Sequence, residues 1–235
     1  MSAKSETMIY NPGMDVRVAY PAAISRTNER LSVYTVFWMF VFGSFIGFAV
    51  ETLFALAKTG QLENRSSMLV SPFNIIYGIG AVALYVGLHK IKDNTLCVFL
   101  FGMASGTVVE FIASWAQEAA FGSVSWDYSH LPLHIGGRVS LLFTFFWGVL
   151  AVLWIKALQP LFLKGINAIP KRIGNKIAVC LLVFFVLDMA ISVIAVARWG
   201  TRLDGVPAAN MIVTWIDNLF PDAFMERVYY NMTHI

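Results

Sequence analysis

Five stretches of this chain are apolar over close to the roughly 20 residues that a helix needs to cross the hydrocarbon core of a bilayer. They fall at about 33–58, 73–89, 96–119, 139–158 and 177–199. Lipid offers no hydrogen bonds to a backbone, so such stretches must satisfy their own N–H and C=O groups as helices. The expected fold class is therefore all-α, a polytopic membrane protein of about five transmembrane helices. Charged residues are only 13% of the chain and hydrophobic residues 58%, against roughly 25% charged in an ordinary soluble domain. That balance excludes a soluble enzyme, and the mild net charge of +3 resembles no nucleic-acid-binding surface.

The segments between the spans complete the expected organisation. Residues 1–32 are polar and carry both signs of charge, so no cleavable leader is read there. Residues 161–176 are basic and broken by Gly165, Pro170 and Gly174, which suggests an interfacial connector after a fourth helix that ends before Pro160. Residues 200–235 form a tail whose piece at 208–220 is short, carries Asp217 and stops at Pro221, as an interfacial or docked helix would. Eleven of the 17 Lys and Arg residues fall on the side of the N-terminus, the second connection and the 161–176 segment; six fall on the other. The excess puts the N-terminus in the cytoplasm of a multi-pass cell-membrane protein. Cys97 and Cys180 lie in apolar runs as small core residues, and no spacing of ligands implies a metal or a cofactor. Nor is there a phosphate-binding loop, so any ATPase that drives this chain is a separate one.

Two glutamates interrupt the apolar runs, each behind the same frame. Phe42-Gly43, Gly47 and Glu51 recur as Phe101-Gly102, Gly106 and Glu110, all 59 residues later. A carboxylate inside a span is costly and signals use. The repeat implies two helical hairpins, 33–89 and 96–160, running in parallel about an axis along the membrane normal. Glycines four residues apart share one helix face and let backbones approach closely, and each Glu follows on that face. A fifth span at 177–199 carries a further acid, Asp188, for which Arg198 or a polar neighbouring helix would be the partner.

Each hairpin also has a polar loop and an aromatic-glycine pair: Asn64-Arg65 and Tyr77-Gly78 in the first, Trp126-Asp127-Tyr128, Arg138 and Trp147-Gly148 in the second. The candidate binding residues are therefore Glu51, Asn64, Arg65, Tyr77, Glu110, Trp126, Asp127, Tyr128 and Arg138. Arg65 and Arg138 can each clamp a carboxylate and offset part of its desolvation cost. The alternative is an ion-pair network that only fixes packing, with Trp126 and Tyr128 as interfacial aromatics. His130 and His134 lack a third ligand.

Taken together, Ser44, Gly47 and Glu51, Asn64-Arg65, Ser71-Pro72, Tyr77-Gly78-Ile79-Gly80, Glu110, Trp126-Asp127-Tyr128-Ser129, Gly137-Arg138 and Trp147-Gly148 resemble the CmpB-like, ABC-transporter type IV membrane family. With Asp217, Phe220-Pro221 and Asp222 the likeness runs from about Phe37 to the C-terminus. The family usually has Gly-Pro where this chain has Ser71-Pro72, and Pro-Ile-Tyr-Gly where it has Asn74 to Gly78; the Asn expected before Gly137-Arg138 is replaced around His134-Ile135-Gly136. The resemblance implies a permease-like subunit served by a separate cytoplasmic ATPase, without naming a substrate. Membrane lipids and a second copy of the chain are the other expected partners. In the alternative reading the chain is a membrane-embedded enzyme that acts on a lipid headgroup or amphiphile at the outer leaflet. There, Glu51, Glu110 and Asp127 would serve as acid–base groups; against it, no nucleophile–His pair is evident.

Overall fold

A computed structural model describes residues 31–234, so the expected cytoplasmic segment 1–32 lies almost wholly outside the described residues. The helices are α1 (Val33–Thr59), α2 (Ile75–Gly87, with one 3-10 turn to Lys90), α3 (Thr95–Phe121), α4 (Leu141–Leu153), α5 (Gln159–Ala168), α6 (Lys171–Leu203), α7 (Met211–Leu219) and α8 (Asp222–Val228). Four helical stretches are long and apolar enough to cross a membrane: α1, α3, Leu141–Ala168 and α6. The apolar helix Ile75–Lys90 is shorter. The chain is thus an all-α polytopic membrane protein. Two small strand pairs join its loops: β1 (Ser123–Val124) with β4 (Thr233–His234), and β2 (His134–Ile135) with β3 (Val139–Ser140), both antiparallel.

Local signals set the helix ends. Gly60 (φ 73°) and Gly122 (φ 59°) close α1 and α3 in the left-handed conformation, donating to Leu56 O and Glu118 O. Asn94 and Ser140 cap α3 and α4 by accepting from Cys97 N and Phe143 N. The fourth helix does not stop at Pro160. Its ring would clash with a carbonyl one turn back, and the helix instead opens into a π turn at Trp154–Leu158 and continues as α5 to Ala168. The break comes at Ile169, extended ahead of Pro170, so the basic segment 161–176 divides between the end of α5 and the start of α6.

The second span is short for a visible reason. Residues 61–74 stay non-helical and fold back into the bundle. Asn74 donates its N–H to Ser44 O, near the middle of α1 (2.9 Å). Val70 and Ser71 donate to the carboxylate of Asp188 at 3.1 and 3.0 Å, and Leu69 donates to Ser192 Oγ at 2.8 Å. Asp188 is buried at the middle of α6. Irregular backbone at membrane depth survives only when protein satisfies its polar groups. That is the partner of Asp188; Arg198 instead bonds Asp217 with two nitrogens at 2.8 Å.

α1 pairs chiefly with α2 and α3 with α4, and α2 packs on α3. One core gathers Trp38, Met39, Leu84, Leu88, Trp154, Phe162 and Phe185; a second joins Leu69, Ala195, Val196 and Trp199 to Met225, Val228 and Tyr229 of the tail. The tail stays at the end of the bundle where α3 and α6 finish, held by β4 on β1 and by the His234 ring 4.8 Å from Trp199. There α7 docks through Asp217 while Met211, Ile212, Trp215 and Leu219 remain exposed.

Candidate functional site

The two hairpins pack through matching contacts. A Cβ on Gly43 would strike Ala81 and the Tyr77 carbonyl; one on Gly102 would strike Ala151 and the Trp147 carbonyl. A Cβ on Gly47 would overlap the Tyr77 ring, and one on Gly106 the Trp147 ring. So Tyr77-Gly78 and Ala81 correspond to Trp147-Gly148 and Ala151, 70 residues on. The glycines let each aromatic lie flat against the helix, with its polar atom directed one turn along it to the glutamate.

Tyr77 Oη donates to Glu51 Oε1 at 2.5 Å, and Trp147 Nε1 donates to Glu110 Oε2 at 3.2 Å. Tyr128, from the second loop, donates to Glu110 Oε1 at 2.7 Å and stacks on Phe143 of α4, ring centroids 4.4 Å apart. The Tyr77 and Trp147 rings lie 6.4 Å apart. That ring contact links the two sides, since Tyr77 bonds Glu51 and Trp147 bonds Glu110. Glu51, Tyr77, Trp147, Glu110 and Tyr128 therefore form one cluster between the hairpins. Glu110 is buried and Glu51 half-buried.

The arginines are engaged elsewhere. Arg65 pairs with the buried Glu63 two residues before it, and Arg138 pairs with Glu118, two helical turns beyond Glu110, and donates to Ser114 Oγ at 3.3 Å. Among the described residues neither Glu51 nor Glu110 has an ion-pair partner. Among the described residues their side-chain hydrogen-bond donors are the neutral Tyr77, Tyr128 and Trp147, a setting that suits binding a proton or a cation.

The remaining candidates build the loops around this cluster. Asn64 Oδ1 accepts from Ser66 N at 3.0 Å, an Asx turn that shapes the first loop. Trp126 Nε1 donates to Arg138 O at 2.9 Å, and Tyr128 N to Gly137 O at 2.8 Å, which fixes the second loop over α3. Asp127 points to solvent and accepts both the Oγ and the N–H of Ser129, bonds that hold its carboxyl below the usual carboxylate range. It caps a turn beside Gly137, whose φ of 69° excludes a side chain. Trp147, Phe143, Glu63 and Glu118 were not among the candidates; the 70-residue offset signals Trp147, whereas nothing in the pattern marks the other three.

The sequence has a counterpart among known families. The family model described as "Putative ABC-transporter type IV" matches residues 38–193. The chain belongs to that family. The matched segment takes in the second hairpin, the first from residue 38 on, both cluster carboxylates and Asp188, and ends within α6. Comparison with curated proteins and with solved structures gave no match.

Proposed function

We propose that the chain is the membrane subunit of a transporter in which Glu51 and Glu110 form a proton- or cation-binding pair between two duplicated hairpins, 33–89 and 96–160. One observation supports this reading: two carboxylates at equivalent positions of the repeat are linked through the Tyr77–Trp147 ring contact, and among the described residues their side-chain partners are the neutral Tyr77, Tyr128 and Trp147. A purely architectural network would spend its arginines on these costly charges. Here Arg65 and Arg138 pair with Glu63 and Glu118, and among the described residues neither Glu51 nor Glu110 has an ion-pair partner. Tyr77 and Tyr128 hold each carboxylate in place without cancelling its charge. Asn64, Arg65, Trp126, Asp127 and Arg138 belong to the loops that frame the approach to the pair.

In this reading the N-terminus is cytoplasmic and the pair lies in the outer half of α1 and α3. The separate ATPase docks at the opposite end, where Lys164, Lys171, Arg172 and Lys176 are all exposed. Proton movement is the direct test. Full-length protein is reconstituted into vesicles that enclose a pH-sensitive dye, and a potassium diffusion potential is imposed. The wild type is expected to carry protons inward, and Glu51→Gln with Glu110→Gln is expected to reduce the rate to that of protein-free vesicles without lowering the melting temperature. Uptake in the double variant equal to wild type would overturn the assignment.

A further inference from the structure

A second polar site lies outside the Glu51–Glu110 cluster, at the end of α1 where the chain leaves the membrane. A cleft of about 380 Å³ opens between the last turns of α1, the start of the first loop and the tail. Phe48, Leu62 and Tyr230 give it an apolar lining, while Thr52, Gln61 and Arg227 supply donors. Glu63 and Asn64 complete the wall, but the charge of Glu63 is cancelled by Arg65, and Asn64 Oδ1 is taken by Ser66.

Arg227 is different. It is exposed on α8, and among the described residues no acid lies within ion-pair distance of it. Thr52 Oγ1 is buried and makes no hydrogen bond, and neither does the buried Nε of Arg65 behind Glu63. A buried hydroxyl without a partner costs on the order of 1–3 kcal/mol, so a ligand that bonds it is favoured. Beside the cleft, Leu53 and Phe54 of α1 are more than three-fifths exposed, as side chains facing lipid are.

We propose that this cleft binds an anionic phospholipid, with the phosphate on Arg227 and its headgroup hydroxyls within reach of Gln61 and Thr52. The net positive charge at the mouth selects an anion. The apolar lining and the lipid-facing flank favour an amphiphile over a hydrated ion, and the position at a helix end matches the depth of headgroups. The volume equals about a dozen waters, enough for a phosphoglycerol headgroup. This assignment does not rest on proton binding at the glutamate pair.

The test is native mass spectrometry of the full-length protein in detergent, titrated with phosphatidylglycerol or with phosphatidylcholine of the same acyl chains. Wild type is expected to retain phosphatidylglycerol about tenfold better, the ratio that one charge-assisted hydrogen bond supplies. Arg227→Gln should reduce phosphatidylglycerol to the phosphatidylcholine level at unchanged melting temperature. Leu62→Trp, which fills the cleft, should reduce both, and Glu110→Gln should change neither. Equal retention of the two lipids by wild type, or undiminished phosphatidylglycerol on Arg227→Gln, overturns the proposal. Displacement of the lipid by an equal concentration of inorganic phosphate would make the cleft a small-anion site and overturn the lipid assignment.

Discussion

Asp217 lies between the guanidiniums of Arg198 and Arg202, and its titration gives a measure of how the tail is held. Arg198 and then Arg202 bond its charged form, and the carboxyl sits at about 2 although partial burial opposes this. A carboxyl depressed in the folded state adds stability above its unfolded pKa, about 3.9, and loses it as the pH falls through the folded value. The melting temperature of Asp217→Asn should therefore lie below wild type at neutral pH, and the gap should close between about pH 4 and pH 2. Melts of both proteins in detergent across that range measure it; a gap independent of pH would mean that the charge of Asp217 holds nothing. At this scale the sequence was only partly informative. Glu51 and Glu110 were legible because an acid in an apolar run is expensive, and Tyr77 because it stands before a glycine in the first hairpin; Trp147 stood before Gly148 in the matching pair but was not taken as a binding residue. The partners of Arg65 and Arg138 were not legible. Glu63 and Glu118 sit in a loop and near a helix end, where acids are common, and only the chain's path brings Arg138 over the last turns of α3.

Between elements, the deciding fact is how closely α1 meets α2 and α3 meets α4. Gly102 has the Ala151 methyl and the Trp147 carbonyl against the place a Cβ would take, so Gly102→Ala must push two helices apart. The expected cost is about 1–3 kcal/mol, as for other overpacked interfaces. Gly165 in α5 is the control. Its nearest neighbour to an added Cβ is Phe42 at 3.6 Å, an ordinary contact, so Gly165→Ala should gain about 0.5–1 kcal/mol from helix propensity alone. Thermal or denaturant unfolding of the two variants decides the matter, and equal effects would remove the packing role assigned to the repeated glycines. The helices themselves were largely readable from apolar length. Two boundaries were not. The π turn at Trp154–Leu158 lets a helix pass a proline that normally ends one, and composition carries no trace of it. Likewise, the second span was expected from residue 73 but the helix starts at Ile75, after a loop in which Leu69, Val70 and Ser71 give their N–H groups to Ser192 and Asp188, more than a hundred positions away.

For the whole molecule, the arrangement of ends makes the topology testable without knowing a substrate. The first loop, the second loop and the tail share one end of the bundle: the cleft joins residues 61–64 to Arg227 and Tyr230, and β1 pairs with β4. α6 is 33 residues long, roughly 50 Å at 1.5 Å per residue, and outreaches a hydrocarbon core of about 30 Å. Arg198 and Arg202 lie in its last two turns, bonded to Asp217. On the topology proposed above, the positive-inside excess would put that whole end outside and the α2–α3 connection in the cytoplasm. Two exposed positions report on the two ends, Gln61 in the first loop and Lys92 between α2 and α3. In a background of Cys97→Ser and Cys180→Ser, Gln61→Cys should react with a membrane-impermeant maleimide on intact cells. Lys92→Cys should react only after the cells are opened. Labelling in the reverse order would invert the molecule, put the exposed cations of residues 164–176 outside, and leave a cytoplasmic ATPase nowhere on that surface to dock.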